Sequence, residues 1–353
     1  MTLSTHRSDP GSDRPGGARS ADAASEGGPP DASARRAGAV LAVDGGNSKT
    51  DVVLVDDAGN VLAEARSGGF TPQSSGVPAA IAVAREAVEL IRERLGVPEG
   101  VPLARYLAAY VAGADLPVEE DALAAAFGAE GWADEVEVGN DTFALLRAGL
   151  SRPWGVAVVC GAGINCAGIG PDGRRARFPA LGRTTGDWGG GHHLGGEALW
   201  HAVRGEDGRG APTALTEAVA KHFRRRSAEA VALALHFGEI EDERLNELSP
   251  VLMSVAADGD PAALSVVDRM AEEVVTMARV VLARLGIADR ATEVVLGGGV
   301  LRARIPVLMD RIAERAALEI PRAELVVAAD PPVVGAALLG LDALGLTGAP
   351  EVG

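Results

Sequence analysis

A chain of 353 residues, 47% hydrophobic and 23% charged, has apolar material for real cores, and its length suggests two domains of roughly 100–200 residues each. Its net charge of −16 repels nucleic-acid backbone and anionic lipid, which argues against both as partners. No apolar run approaches the ~18–20 residues that span a membrane, and with only 3% aromatic residues the cores must be built from Val, Leu, Ile and Ala, as in packed α/β layers.

Residues 1–37 contain no apolar segment of the secretory kind. They are rich in Gly, Ser, Pro, Asp, Arg and Ala and read as a disordered tail. Order is expected from Gly38. Val40 to Asp44 is a short apolar run ending in an acid, and Gly45 and Gly46 follow it. Thr50 to Asp56 and Val61 to Arg66 are two further strands, separated by the turn Asp57–Asn60. The pattern is an antiparallel meander. A dinucleotide or Walker loop would lead into a helix instead.

Helical spacing follows at Ile81, Ala84, Val88, Ile91 and Leu95. Leu107–Gly113 reads as a buried strand, Glu119–Phe127 as a helix and Glu135–Gly139 as a strand ending at Asn140-Asp141. A helix from Thr142 to Leu150 closes this unit. Then the opening device recurs. Trp154–Cys160 is a strand, Gly161 to Asn165 a glycine turn, Cys166–Ile169 a strand and Pro171–Arg174 a turn. Two copies roughly 115 residues apart suggest a duplicated fold with both glycine turns at one cleft. The two cysteines, Cys160 and Cys166, bracket the second turn. They form no disulfide framework, read as small buried residues, and fit a reducing, cytoplasmic compartment.

The remainder is mostly helical, over Ala211–His222, Ser227–Leu235, Asp242–Ala257 and Ala262–Leu285, where Leu264, Val267, Ala271, Val274, Ala278, Val281 and Leu285 share a face. Arg224-Arg225-Arg226 reads as a solvated helix face. A strand at Glu293–Leu296 runs into Gly297-Gly298-Gly299. The helix Arg304–Ala317, the strand Glu324–Ala328 and a last helix, Val334–Leu344, complete the chain. The units are expected at 38–150 and 151–332, with the segment 333–345 packing back on the first.

Several of these segments are suited to phosphate chemistry. The amides of Gly45, Gly46 and Asn47, the hydroxyls of Ser48 and Thr50 and the charge of Lys49 could grip phosphate oxygens, and Asp44 could hold Mg²⁺ through water. Gly161, Ala162, Gly163 and Asn165 repeat the arrangement. Either turn alone is equally a plain hairpin; a polyphosphate clamped from both sides accounts for the pair. Gly297, Gly298 and Gly299 would let an adenine or ribose lie on the backbone, or serve simply as a tight connection. Asp141 is placed to accept a proton from an acceptor hydroxyl in phosphoryl transfer, or to cap its helix. The stretch Arg183–Glu197, with Asp187, His192 and His193, reads as a ligand-facing or mobile loop. Asp187 is its best candidate for sugar hydroxyls, and no third ligand is spaced to make the histidines a metal site.

The ordered set DGGNSKTD (44–51), ND (140–141), GAGIN (161–165), GDWGGG (186–191), LGGGV (296–300) and PPVVGAALLG (331–340) resembles the N-acetylglucosamine kinase branch of the BadF/BadG/BcrA/BcrD ATPase family. The resemblance covers about residues 38–345. It implies an α/β, duplicated actin-like (ribonuclease H-like) fold of two lobes around a nucleotide cleft. It further implies ATP and Mg²⁺ as cofactors and an amino sugar, by default N-acetylglucosamine, phosphorylated at its 6-hydroxyl, with other hexosamines as alternatives. Asp44 is then the residue near Mg²⁺, Asp141 the base, Gly297–Gly299 the adenosine contact, and Gln73, Asn140, Asp141 and Asp187 the sugar side. Gln73 stands where the family often has Asn, and Trp188 where it has Glu. A homodimer is common among such relatives. The family also holds activators of CoA-ester dehydratases, which bridge an iron–sulfur cluster between subunits; here both cysteines flank the glycine turn instead.

Overall fold

The computed structural model describes residues 36–347, so the tail expected at 1–37 falls almost wholly outside the described residues. The first sheet contains β1 (Gly38–Gly45), β2 (Thr50–Val55), β3 (Val61–Ser67), β4 (Ala104–Val111) and β5 (Ala133–Asn140), in the order β3-β2-β1-β4-β5. The second contains β6 (Gly155–Cys160), β7 (Ile164–Ile169), β8 (Arg175–Arg177), β9 (Thr292–Gly297) and β10 (Ala323–Val327), in the order β10-β9-β6-β7-β8. Reversed, the second order is the first with each number raised by five. The senses of pairing also match. β1–β2, β2–β3, β6–β7 and β7–β8 are antiparallel, whereas β1–β4, β4–β5, β6–β9 and β9–β10 are parallel. The duplication expected from the two glycine turns is therefore a duplication of topology.

Both sheets are buried on both faces, which is why their central strands read as apolar runs. Along β1, Leu41 and Val43 face a core shared with Ile81, Val88 and Ile91 of the helix Val77–Leu95. Val40 and Ala42 face the opposite way, into a core shared with Leu145, Leu146, Ala336 and Ala337. β9 splits likewise: Val295 joins that middle core, while Val294 and Leu296 join the large core beneath the helix Pro261–Leu285. Two helices, Asp141–Gly149 and Pro332–Ala343, thus form the layer between the sheets. They approach closely: a Cβ at Gly335 would lie 1.8 Å from the carbonyl oxygen of Ala144, and one at Gly340 would lie 2.5 Å from Val40.

Most elements lie within a few residues of their sequence expectation. The largest difference is at Arg183–Glu197. Only its first part is a loop; a helix runs from Gly191 to Asp207. The short strand β8 was also unforeseen. No helix among the described residues is long and apolar enough to cross a membrane.

Candidate active site

The site is assembled around the start of the helix Asp141–Gly149. Asn140, the last residue of β5, is its N-cap: the side-chain Oδ1 accepts from the Thr142 amide at 3.1 Å. Capping is therefore Asn140's role, and it leaves Asp141, the first helical residue, as a half-buried carboxylate. On the first-sheet side, β1 and β2 are joined by the turn Gly46–Lys49, closed by Gly46 N–H donating to the Lys49 carbonyl at 2.9 Å. Asn47, Ser48 and Lys49 are exposed on it. Thr50 is fully buried, and its hydroxyl donates to the Gly68 carbonyl at 2.9 Å, so it anchors the turn. The Lys49 ammonium is paired with Asp51, which Arg66 also holds.

Asp44 ends the apolar part of β1 with a buried carboxyl. Burial, then the negative charges of Asp141 and Asp51, push it up to about 7, with Lys49 pulling the other way. Burial and the charge of Asp115 push Asp141 up to about 6, against the amide and hydroxyl of Thr142. The two carboxyls thus share one electrostatic site, and its nearest cation is already claimed by Asp51.

The second glycine turn meets the same point from the other sheet. Asn165, at the start of β7, donates to Asn140 Oδ1 at 3.2 Å and to Thr142 Oγ1 at 3.0 Å. Gly161 and Ala162 are gripped from behind, since Gly191 N–H donates to the Gly161 carbonyl at 2.7 Å and His192 N–H to that of Ala162 at 3.1 Å. Gly298 closes the remaining side. Its φ is +79°, and a Cβ there would lie 2.3 Å from the Cys160 carbonyl carbon, so only glycine lets the end of β9 lie on the strand that enters the turn. A Cβ at Gly297 would strike Leu145, whereas Gly299 faces open space. The structure therefore brings together Asp44, Asn140, Asp141, Asn165, both turns and Gly297–Gly299.

Two residues of this network escaped the sequence reading. Asp115, just past β4, accepts from Asn140 Nδ2 at 2.8 Å and from Gln73 Nε2 at 3.2 Å; the only signal was an acid two residues after a strand-ending glycine. Thr142 was read only as the first residue of the expected helix. The resemblance put Gln73 on the acceptor side, and it does reach the network through Asp115.

Asp187 does not join this network. It accepts from the Thr185 hydroxyl at 2.8 Å, and its charge is felt by Glu273 on the helix Pro261–Leu285. Trp188 is buried against His193, at 4.7 Å between ring centroids, with the Arg269 guanidinium 4.5 Å from its ring. It is a packing residue. His192 pairs with Asp242 at 2.7 Å and His193 lies 3.4 Å from Glu197, so the two histidines diverge. No group of three or more His, Cys, Asp or Glu able to hold a metal occurs among the described residues. Cys160 and Cys166 are completely buried, and burial pushes the Cys160 thiol up to about 12 and that of Cys166 further still. Neither reaches the surface of the chain.

Two copies of one five-stranded unit, each presenting a glycine turn to a shared acidic helix start, give the chain a two-lobed α/β fold like that of sugar-kinase and actin-like ATPase structures. The chain belongs to the BadF/BadG/BcrA/BcrD ATPase family, whose model matches residues 41–340. ATP is the nucleotide that this membership implies. The chain is 25% identical over 301 residues to the N-acetylmuramic acid/N-acetylglucosamine kinase of Clostridium acetobutylicum, covering 85% of this chain and 97% of that one. It is 24% identical over 318 residues to the N-acetyl-D-glucosamine kinase of Dictyostelium discoideum, covering 86% and 97%. Among solved structures, a Chromobacterium violaceum protein provisionally named an N-acetylglucosamine kinase matches with a TM-score of 0.66 at 23% identity, covering 85% of this chain and 98% of that one. That last likeness is one of fold.

Proposed function

We propose that this protein is an ATP-dependent kinase that transfers the γ-phosphoryl group to the 6-hydroxyl of an amino sugar, N-acetylglucosamine first among them. The observation that carries the reading is Asp141. It is a partly buried carboxyl, freed from capping by Asn140, between the acid near the end of β1 and the asparagine of the second glycine turn. A carboxyl held at about 6 is ionised at neutral pH and still basic enough to accept a hydroxyl proton as the oxygen attacks. The names of both curated relatives support the same acceptor class.

In this reading the turn Gly45–Thr50 and the turn Gly161–Asn165 hold the phosphates from opposite sides, Lys49 turning from Asp51 to the nucleotide. Gly297–Gly299 lie under the adenosine, and Gln73, Asn140 and Asp187 belong to the acceptor side. The lobes are taken as 38–150 and 151–332, with the last helix returned to the first. Asp44 fits Mg²⁺, because a buried carboxyl whose proton affinity is raised by burial and by the charges of Asp141 and Asp51 is a donor that a hydrated divalent ion satisfies. When bound, the ion would neutralise charge developing on the transferring group. Closing the lobes would keep water from competing with the sugar.

The test is a coupled ADP-release assay across hexoses, hexosamines and N-acetylated amino sugars, N-acetylmuramic acid included. Strong stimulation by N-acetylated amino sugars is expected. Steady ATP hydrolysis indifferent to every sugar would overturn the assignment.

A further inference from the structure

The Asp115 carboxylate bridges two side chains on different segments of the site. Its Oδ1 accepts from Asn140 Nδ2 at 2.8 Å, and its Oδ2 accepts from Gln73 Nε2 at 3.2 Å. Asn140 is the cap that orients Asp141, and Gln73 stands on the exposed turn Pro72–Ser75 at the acceptor side. The loop beneath is rigid. Gly113, at φ +80°, packs so closely on that turn that a Cβ would lie 2.6 Å from Pro72 and 3.1 Å from Gln73. The amides of Asp115 and Leu116 both donate to the Glu119 carboxylate, at 3.0 and 2.9 Å. The second sheet braces it too: Arg177 of β8 donates to the Ala114 carbonyl at 3.1 Å and pairs with Glu120 at 2.7 Å.

We infer that Asp115 is a positioning residue that couples acceptor binding to the phosphoryl-transfer step, holding Gln73 toward the acceptor with one oxygen and the cap of Asp141's helix with the other. The inference rests on the kinase reading for its acceptor. Its chemistry follows from the donor count. Gln73 and Asn140 each present an amide N–H, and only a carboxylate accepts from both with no donor of its own. An acceptor hydroxyl arriving at Gln73 therefore meets a side chain whose orientation is already fixed, and fixed by the group that orients the base. Asp115 also places a negative charge near Asp141, and so sets how readily that carboxyl takes a proton.

The test is Asp115→Asn in the full chain. The shape survives, but one of the two bonds becomes donor against donor. The KM for the acceptor should rise about tenfold, equivalent to about 1.4 kcal/mol, while the KM for ATP stays within about twofold. The acidic limb of the kcat/KM profile should move to lower pH, because a neighbouring negative charge has gone. Asp115→Ser, which is smaller and still accepts from one partner, covers the case in which the asparagine variant fails to fold; it should show the same split. Unchanged acceptor KM and an unmoved acidic limb in a folded variant overturn the inference. Equal rises in the two KM values would mark a merely structural role and overturn it as well. Where no sugar stimulates the unaltered protein, the kinase reading fails by itself. Asp115 is then judged by carboxyl NMR titration, with Asp141 assigned from the spectrum of Asp141→Asn: a lower midpoint in Asp115→Asn supports the junction, and an unmoved one overturns it.

Discussion

Asp44 and Asp141 show how one pair of side chains can trade stability for function. Both carboxyls sit above the ordinary range, at about 7 and about 6, so the folded protein binds protons more tightly than the unfolded chain. Stability then falls as pH rises. The contribution is complete below the unfolded value near 3.8 and is lost as pH passes through 6 and 7. Without nucleotide, the protein should lose on the order of a few kcal/mol between pH 4 and pH 8. Asp44→Asn should flatten that slope, as read by urea unfolding across pH; an equally steep slope in the variant would refute the assignment. For catalysis, Asp141→Asn should lower kcat by about 100- to 10,000-fold while ATP affinity, measured by calorimetry, stays within about twofold. A fully active variant would remove Asp141 from the mechanism.

The elements are there to put these residues in place. The helix Asp141–Gly149 is held from both sides, by the last helix at Ala144 and by β9 at Leu145 and Gly149. Gly298→Ala would force a Cβ to within 2.3 Å of the Cys160 backbone at a left-handed φ. Strain of this kind costs about 1–3 kcal/mol. The variant should melt earlier and bind ATP more weakly, since relief must move the second glycine turn; unaltered nucleotide affinity would mean that the turn does not carry the phosphates. At this scale the sequence was most legible where burial is two-sided or periodic. β1, β6 and β9 are apolar runs, and the helices Val77–Leu95 and Pro261–Leu285 repeat apolar residues every three or four positions. It was least legible at Gly191–Asp207. Three successive glycines and two histidines are poor helix formers, and the helix starts there because the amides of Gly191 and His192 are satisfied by the carbonyls of the glycine turn.

For the whole molecule, β8 carries polar contacts from the second sheet to the first unit. Arg175 pairs with Glu137 at 2.7 Å and lies over the Phe143 ring at 5.1 Å. Glu137 stays lowered in spite of its burial, through Arg175 and the hydroxyls of Tyr106 and Tyr110. Both partners are partly exposed, so Arg175→Ala should cost only about 1 kcal/mol. The variant should nevertheless scatter as a more open particle in small-angle X-ray measurements without ligand; an unchanged radius of gyration would show that the lobes are held elsewhere.

Strand periodicity, glycine and acids at strand ends are local signals, and from them the duplicated architecture, the two glycine turns and the aspartate between them were legible in the sequence. It could not decide which residue caps the helix and which does chemistry, since Asn140 and Asp141 are neighbours and either suits a helix start. Nor could it find Asp115, which has meaning only through Gln73 and Asn140, 42 and 25 residues away. It took the glycine-histidine stretch for a loop because the partners that make it a helix belong to β6 and its turn. Those decisions were made by hydrogen bonds and charges that cross between segments far apart in the chain, and only the tertiary structure brings such groups within reach.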